Sequence, residues 1–129
     1  MKITIIGKAP SVNGLYRIGK AGHIYLTEDG RIYKDMVSEK LDGLKVVLPD
    51  ALKGIPLKVS YSFYFPELWY SSGSPVPMDT DNRIKVVQDA VSRALKFDDS
   101  WIFKLEAEKL VGQERAVVVI EPYLTTPQS

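Results

Sequence analysis

The chain has 129 residues, a net charge of +1 and no cysteine, and 45% of its residues are hydrophobic against 26% charged. This length and composition are typical of one globular domain and argue against a disordered chain or two separate cores. The absence of cysteine excludes disulfides and thiolate zinc sites, and His23 alone cannot form a histidine-based metal centre. Any resident metal is therefore expected to have oxygen ligands.

Hydropathy and charge distribution give two further expectations. The apolar run in "KITIIG" is too short for a signal-peptide core or a membrane span, so we expect a cytoplasmic protein with no membrane partner. The net charge is too small to indicate nucleic-acid binding, but Lys and Arg outnumber acidic residues by eight to five up to Leu48, whereas acidic residues outnumber them by nine to seven from Met78 onward. Such a separation is expected where one surface holds phosphates and another holds a cation.

The N-terminal half predicts two strands and a helix. "KITIIG" and "HIYLT" are β-branched and apolar, and the Gly- and Lys-containing segment between them predicts a long loop. A helix is predicted from about Gly30 to Lys45, with Thr27 or Asp29 as its N-cap. Its predicted apolar face consists of Ile32, Met36, Val37, Leu41 and Leu44.

The C-terminal half predicts a strand, a helix and a hairpin. "IPLKVSYSFYF", residues Ile55 to Phe65, is rich in aromatic and β-branched residues and predicts a strand, which is followed by a loop rich in Pro, Gly and Ser. "WIFKLEAEKLV" and "RAVVVIEPY" then predict a hairpin joined near Gly112 and Gln113. The helix before them, from about Asn82 to Lys96, has its predicted apolar face at Ile84, Val87, Val91, Ala94 and Leu95.

The predicted element order is β-β-α-β-α-β-β, without an internal repeat or a linker. This order predicts an α/β (α+β) fold: a single compact domain in which two main helices pack on a mixed β-sheet. We expect this domain to occupy residues 1–123, with residues 124–129 forming a flexible tail.

The segment "PMDTDNRIKVVQDA" places two aspartates one residue apart before the second helix. Asp81 fits a position at or beside the N-cap, where a carboxylate accepts backbone N–H groups and complements the helix dipole. Capping does not explain Asp79, whose side chain points the same way as that of Asp81 if the approach is extended. Two converging carboxylates repel each other, which favours a cation between them.

Further charged residues follow at helical spacing. Lys85 lies four residues after Asp81 and Asp89 four after Lys85, which gives one polar stripe but is also a common surface arrangement. Asp98 and Asp99 lie in a predicted turn after a helix of about 22 Å. They reach the first pair only if the next strand runs back alongside, or if a second subunit supplies them.

The spacing excludes one kind of metal site. An EF-hand loop starting at Asp79 needs glycine at its sixth position and glutamate at its twelfth, but these positions hold Ile84 and Ala90. Carboxylates accompanied by a lysine, without His or Cys, favour Mg2+ or Mn2+ for chemistry on a phosphate.

These residues carry a family resemblance. "DTDNRIKVVQDA" followed by "DD" resembles the RusA family of Holliday junction resolvases, whose pattern is D-x-D-N-x-x-K-x-x-x-D-A with a later D-D. Near the N-terminus, "APSVNGLYR" is similar to the family's P-x-x-N segment, and "YLTEDGRIYKD" fits its first helix. The resemblance therefore covers most of the chain.

The resemblance implies a homodimeric, Mg2+-dependent endodeoxyribonuclease that resolves four-way junction DNA by paired nicks in recombination and repair, without an organic cofactor. It implies Asp79, Asp81 and Asp99 as metal-binding and catalytic residues and Lys85 as the essential lysine. The other motif positions are Asn82, Asp89 and Asp98, of which we interpret the first two as structural support.

The sequence signals for DNA contact are less specific than the acidic motif. Phosphate contacts are predicted for Lys8, Arg17, Lys20 and Arg83, with Arg31 and Lys34 as further candidates, and the resemblance adds Asn13. Trp69 and Tyr70 either stack on an unpaired base or, as we slightly favour, anchor their loop on the core. The alternative functions are a non-catalytic protein that binds branched DNA and a metal-dependent nuclease acting on other branched DNA or on nucleotides.

Overall fold

The structure, a computed structural model, describes residues 1–7, 16–18, 24–26, 28–76 and 80–124. Two short 3-10 helices occur at Asp50–Leu52 and Asp99–Trp101. The other elements are β1 (Lys2–Ile6), β2 (Tyr16–Ile18), β3 (Ile24–Leu26), α1 (Glu28–Gly43), β4 (Leu57–Phe65), α2 (Thr80–Leu95), β5 (Ile102–Val111) and β6 (Arg115–Pro122).

The main sheet is mixed and has the strand order β1-β6-β4-β5. β6 pairs antiparallel with both β1 and β4, whereas β5 pairs parallel with β4. β2 and β3 form a separate antiparallel pair, so the segment predicted to be a long loop contains a strand. The mixed sheet with two α-helices confirms the predicted α+β class.

The predicted hairpin of the last two strands is wrong. β5 and β6 lie on opposite sides of β4, because β5 follows the helical crossover and pairs parallel with β4. The connection between them therefore crosses the end of β4, where the N–H of Gly112 donates to the carbonyl of Phe65 at 2.9 Å. A Cβ at position 112 would lie 2.9 Å from the Tyr64 ring, so this crossing requires glycine.

β4 alternates strictly between buried and half-buried residues. Val59, Tyr61 and Phe63 face the core, and their partners on β6 are also buried. On the other face Lys58 forms ion pairs with Glu106 and Glu121, at 3.4 and 3.6 Å. The helices therefore cover one face of the sheet, and the opposite face carries charged groups.

The helices differ in how well their buried faces were predicted. The predicted face of α2 is confirmed, since Val87, Val91 and Leu95 are buried and Ile84 and Ala94 pack against the core. The α1 face is partly wrong: Tyr33, Val37 and Leu41 are buried, whereas Ile32, Met36 and Leu44 are exposed.

The N-terminus of α1 also differs from the prediction. Because α1 begins at Glu28, Asp29 lies inside the helix, and Thr27 is outside the described residues. The predicted tail falls outside them as well, apart from the exposed Leu124. Within the described part of the chain, no helix is long and apolar enough to cross a membrane.

The revised α1 face can be tested with two leucines. Leu41 is 1% exposed and Leu44 is 66% exposed. We expect Leu41→Ala to lower the free energy of unfolding by roughly 2–5 kcal/mol, because it leaves a cavity in the core. The matched Leu44→Ala should change it by less than about 0.5 kcal/mol. Urea denaturation of both variants measures the difference, and equal losses would contradict the assignment.

Candidate active site

The first turn of α2 lies at the carboxyl end of β4. Arg83 is 7% exposed, and its guanidinium lies 5.5 Å from the ring centroid of Phe65, the last residue of β4. This contact fixes where the helix starts relative to the sheet. It also places Arg83 between helix and sheet, so its burial does not support the predicted phosphate contact.

The D-x-D-N motif leads into this turn. Because α2 begins at Thr80, Asp81 and Asn82 belong to the helix, and Asp81 is not its N-cap. A negative charge in the first turn still complements the helix dipole. Lys85 is exposed one turn later, while Asp79 lies outside the described residues.

The second acidic pair lies beside the C-terminal half of α2. Asp98 and Asp99 border a shallow depression of about 520 Å³ between the two helices and the start of the short 3-10 helix. Lys34 of α1, which is buried, also lines it. The complete lining is Lys34, Asp89, Ser92, Arg93, Lys96, Phe97, Asp98 and Asp99.

Tyr61 of β4 lies close enough to both Asp89 and Asp99 to be affected by their charges. Its hydroxyl donates a hydrogen bond to the Oε1 of Gln88 at 3.1 Å. Burial raises the pKa of Tyr61, and the negative charges of Asp89 and Asp99 raise it further. Sequence reasoning missed Tyr61, although a tyrosine at a buried position of an alternating strand needs a partner for its hydroxyl.

Asp98 has a structural role that Asp99 does not share. It is the N-cap of the Asp99–Trp101 helix, and its carboxylate accepts a hydrogen bond from the Ser100 N–H at 2.9 Å. Hydrogen bonds from the Ser100 backbone and side chain hold the pKa of Asp98 below its usual range. Asp99, the next residue, is exposed at the depression.

The two acidic clusters are separated along α2. Asp81 lies eight residues before Asp89, which is about 12 Å along a helix axis. Asp99 lies at the Asp89 end, and β5 runs away from it parallel to β4. Asp89 and Asp99 therefore lie toward one end of α2, and Asp81 belongs to the first turn at the other end.

The described residues do not contain a complete metal site. Among them no group of three or more His, Cys, Asp or Glu side chains can hold a metal ion, and that search did not include Asp79. The proposed ligand set is therefore neither assembled nor excluded by the described geometry.

The structure describes only some of the residues predicted to contact DNA. Lys8, Asn13 and Lys20 lie outside the described residues, and Arg17 lies on β2. Trp69 and Tyr70 are exposed, in a loop closed by a hydrogen bond from the Val76 N–H to the Leu68 carbonyl at 2.8 Å. The interpretation that these two rings anchor the loop on the core is therefore wrong.

Comparison with known proteins shows that a family model matches most of the chain, including these residues. Residues 8–121 match the family model described as Endodeoxyribonuclease RusA. The match contains the D-x-D-N motif, Lys85 and both aspartates before β5. A comparison with curated proteins found no match.

The cap formed by Asp98 gives a pH-dependent prediction. Asp98→Ala should lower stability at neutral pH, whereas Asp98→Asn should retain much of the cap, because asparagine is also a good N-cap. A carboxylate whose pKa is lowered on folding stabilises the protein above its unfolded pKa, and this stabilisation is lost as the pH falls through the folded pKa. The alanine effect should therefore shrink below about pH 4. Urea denaturation at pH 7 and pH 3 measures it, and a loss of equal size at both would contradict the cap.

Proposed function

Since the chain belongs to the RusA endodeoxyribonuclease family, we propose that it is an Mg2+-dependent nuclease that resolves four-way DNA junctions by paired nicks in recombination and repair. The observation that carries the proposal is the complete motif of Asp79, Asp81, Asn82, Lys85 and the later aspartate pair, inside the matched segment.

The ligand chemistry supports Mg2+, with Mn2+ as a substitute. Asp79 and Asp81 offer carboxylate oxygens one residue apart, Asp99 offers a third, and the chain has no cysteine. These three residues would hold the ion. When bound, it lowers the pKa of water and neutralises charge on the scissile phosphate.

Lys85 provides a fixed positive charge beside the same motif. It is exposed on α2, one turn after Asp81 and one turn before Asp89. An ammonium group at this position can approach a phosphate oxygen on which negative charge develops during phosphodiester cleavage. Its proposed role is electrostatic stabilisation of that developing charge.

The separation of the acidic clusters supports a site shared by two chains. Asp81 lies where α2 meets Phe65, and Asp99 lies beside the other half of the helix. A two-fold pairing that places these ends side by side would give two equivalent sites, each with Asp79 and Asp81 from one chain and Asp99 from the other. Two such sites are what paired nicks across a two-fold junction require.

The first test removes one proposed ligand. Asp81→Asn should lower Mg2+-dependent cleavage of a synthetic four-way junction by about 10³-fold or more, because the loss of metal-derived stabilisation amounts to several kcal/mol. Junction binding, measured by gel shift, should persist or improve, since a negative charge is removed near phosphate. Asp42→Asn, an exposed acid at the end of α1, is the control and should cleave normally.

The choice of DNA separates the alternatives. Flap and linear duplex DNA should be cleaved much less than the junction. Equal cleavage of all three would favour a nuclease with another substrate, and binding without nicking would favour a non-catalytic protein. Normal Mg2+-dependent cleavage by Asp81→Asn would falsify the proposed site.

A second test asks whether the site is shared. Asp81→Asn and Asp99→Asn should each be inactive alone. In a mixed dimer, one site carries both substitutions and the other carries neither, so mixing the two variants should restore single nicks. Up to half of the dimers in an equimolar exchange would be mixed. The recovery is measured as nicking of a four-way junction carried on a plasmid. If no nicking returns although subunit exchange has been verified, each site lies within one chain.

A further inference from the structure

A second cavity lies at the end of the sheet where β4 and β5 begin. We call it the Trp101 pocket; it has a volume of about 280 Å³, and Leu48, Leu52 and Leu57 contribute to its lining. These three leucines are buried and belong to the core. Residues 96–98, the turn after α2, line both this pocket and the shallow depression, so the two cavities adjoin each other.

Two aromatic rings extend the apolar lining of the Trp101 pocket. Phe97 is partly buried against the core, whereas Trp101 is 41% exposed. The N–H of Trp101 donates to the Asp98 carbonyl at 3.2 Å, within the short helix that Asp98 caps. This helix holds an exposed indole two residues after Asp99. Exposed aromatic side chains are the platforms on which proteins stack nucleic-acid bases.

Two lysines and one aspartate supply the charges of the pocket. Lys96 is exposed, and Lys53 forms an ion pair with Asp50 at 3.0 Å. An exposed pair of this kind is weak, so Lys53 can turn to another anion. The carboxylate of Asp98 accepts a hydrogen bond from the Ser100 N–H and is thereby directed at the backbone. The pocket therefore combines an apolar, aromatic interior with ammonium groups at its exposed rim.

Lys96 occupies a backbone position at which glycine is common. Its φ is 57°, and two backbone hydrogen bonds back to Ser92 and Arg93 close α2 with a Schellman motif. Lys45 closes α1 in the same way, with a φ of 55°. Both lysines complement the dipole of their helix. Among the described residues, however, Lys96 lines both cavities and Lys45 lines neither, which makes Lys45 a matched control.

A flat ring that carries a phosphate suits these groups. The volume of about 280 Å³ is slightly below the roughly 300–1,000 Å³ of sites for drug-sized ligands, so it suits a single base. We propose that the Trp101 pocket receives one unpaired base of a DNA strand, stacked on Trp101, while Lys53 and Lys96 bind adjacent phosphates. The choice of DNA rests on the proposed function. Because the pocket adjoins the depression that Asp99 borders, the bound nucleotide lies close to this proposed metal ligand.

Tryptophan fluorescence tests the stacking, because the chain has two tryptophans, Trp69 and Trp101. In Trp69→Phe the remaining indole is that of Trp101, and a short oligothymidylate added without Mg2+ should quench its emission. A strand of the same length that lacks its bases should leave the emission largely unchanged. Equal quenching by both strands would reduce the site to a phosphate contact and overturn the base pocket. Quenching that occurs only in Trp101→Phe, where Trp69 reports, would overturn it as well.

Two lysine variants test the phosphate contact in the same Trp69→Phe protein. Lys96→Gly and Lys45→Gly change the same residue type at the same kind of helix end, where glycine fits without strain, so unfolding curves should show both folded. Lys96→Gly should reduce the slope of log affinity against log salt concentration by about 0.7, the contribution of one single-strand phosphate. Lys45→Gly should leave the slope unchanged. Equal slopes in the two variants would contradict the role of Lys96.

Substitution of the ring measures how much stacking contributes to affinity. Trp101→Ala should weaken binding of the oligothymidylate roughly five- to 150-fold, which is the range for loss of one stacked base. Trp101→Phe should retain most of the affinity, because phenylalanine also offers a ring. Fluorescence anisotropy of a labelled strand measures both, and an equal loss in the two variants would contradict stacking.

The outcomes separate this inference from the proposed function, because strand binding is measured without Mg2+ and without cleavage. Quenching of Trp101 that requires both the bases and Lys96, in a protein that cleaves no junction, would support the pocket and refute the nuclease. Normal junction cleavage by Trp101→Ala and Lys96→Gly, together with no quenching of Trp101 by any strand, would overturn the pocket alone.

Discussion

The parallel pairing of β5 with β4 determines where the candidate active-site residues lie. A parallel neighbour must start at the same end of the sheet, so the chain has to return along the length of β4 before β5 begins. α2 makes this return, starting against Phe65 and ending near the beginning of β5. Asp81 and Asn82 lie in the first turn of α2 and the second aspartate pair follows its last turn, so the two groups lie toward opposite ends of one helix.

Much of the fold could be predicted because several segments have a single strong pattern. β4 is rich in aromatic and β-branched residues and alternates in part between apolar and polar, and α2 carries one apolar stripe. α1 was harder, because Ile32 and Met36 are four residues apart, as are Tyr33, Val37 and Leu41 on the neighbouring stripe. Periodicity identified the helix but not which of two neighbouring stripes faces the sheet.

The strand order could not be obtained from local pattern. A short connection between two strands favours a hairpin, yet the connection at Gly112 passes over the end of β4. The insertion of β6 between β1 and β4 buries Ala116, Val118 and Ile120 on a central strand. β5, which carries more charge, is left at the edge. Which strand takes the central position depends on the packing of the whole core. The sequence of a single segment therefore does not predict it.

For the candidate site, the sequence predicted the residue types but not their grouping. Oxygen ligands and a lysine follow from composition and motif, whereas the proximity of Asp89, Asp99 and Tyr61 depends on how α2 packs across β4. The spacing in sequence left open whether the aspartate at the β5 end meets the first pair within one chain. The topology places Asp81 in the first turn of α2 and Asp99 just beyond its C-terminal end.

The adjacent aspartates before β5 have different roles, which the local backbone structure determines. Asp98 uses its carboxylate to cap the short helix through the Ser100 N–H, which fixes the backbone of the next residue at the first position of that helix. Asp99 does not have this capping role and stands at the open depression. A ligand is effective when its direction is set by groups that do not themselves compete for the ion. The cap at Asp98 therefore supports the proposal that Asp99, and not Asp98, is a metal ligand.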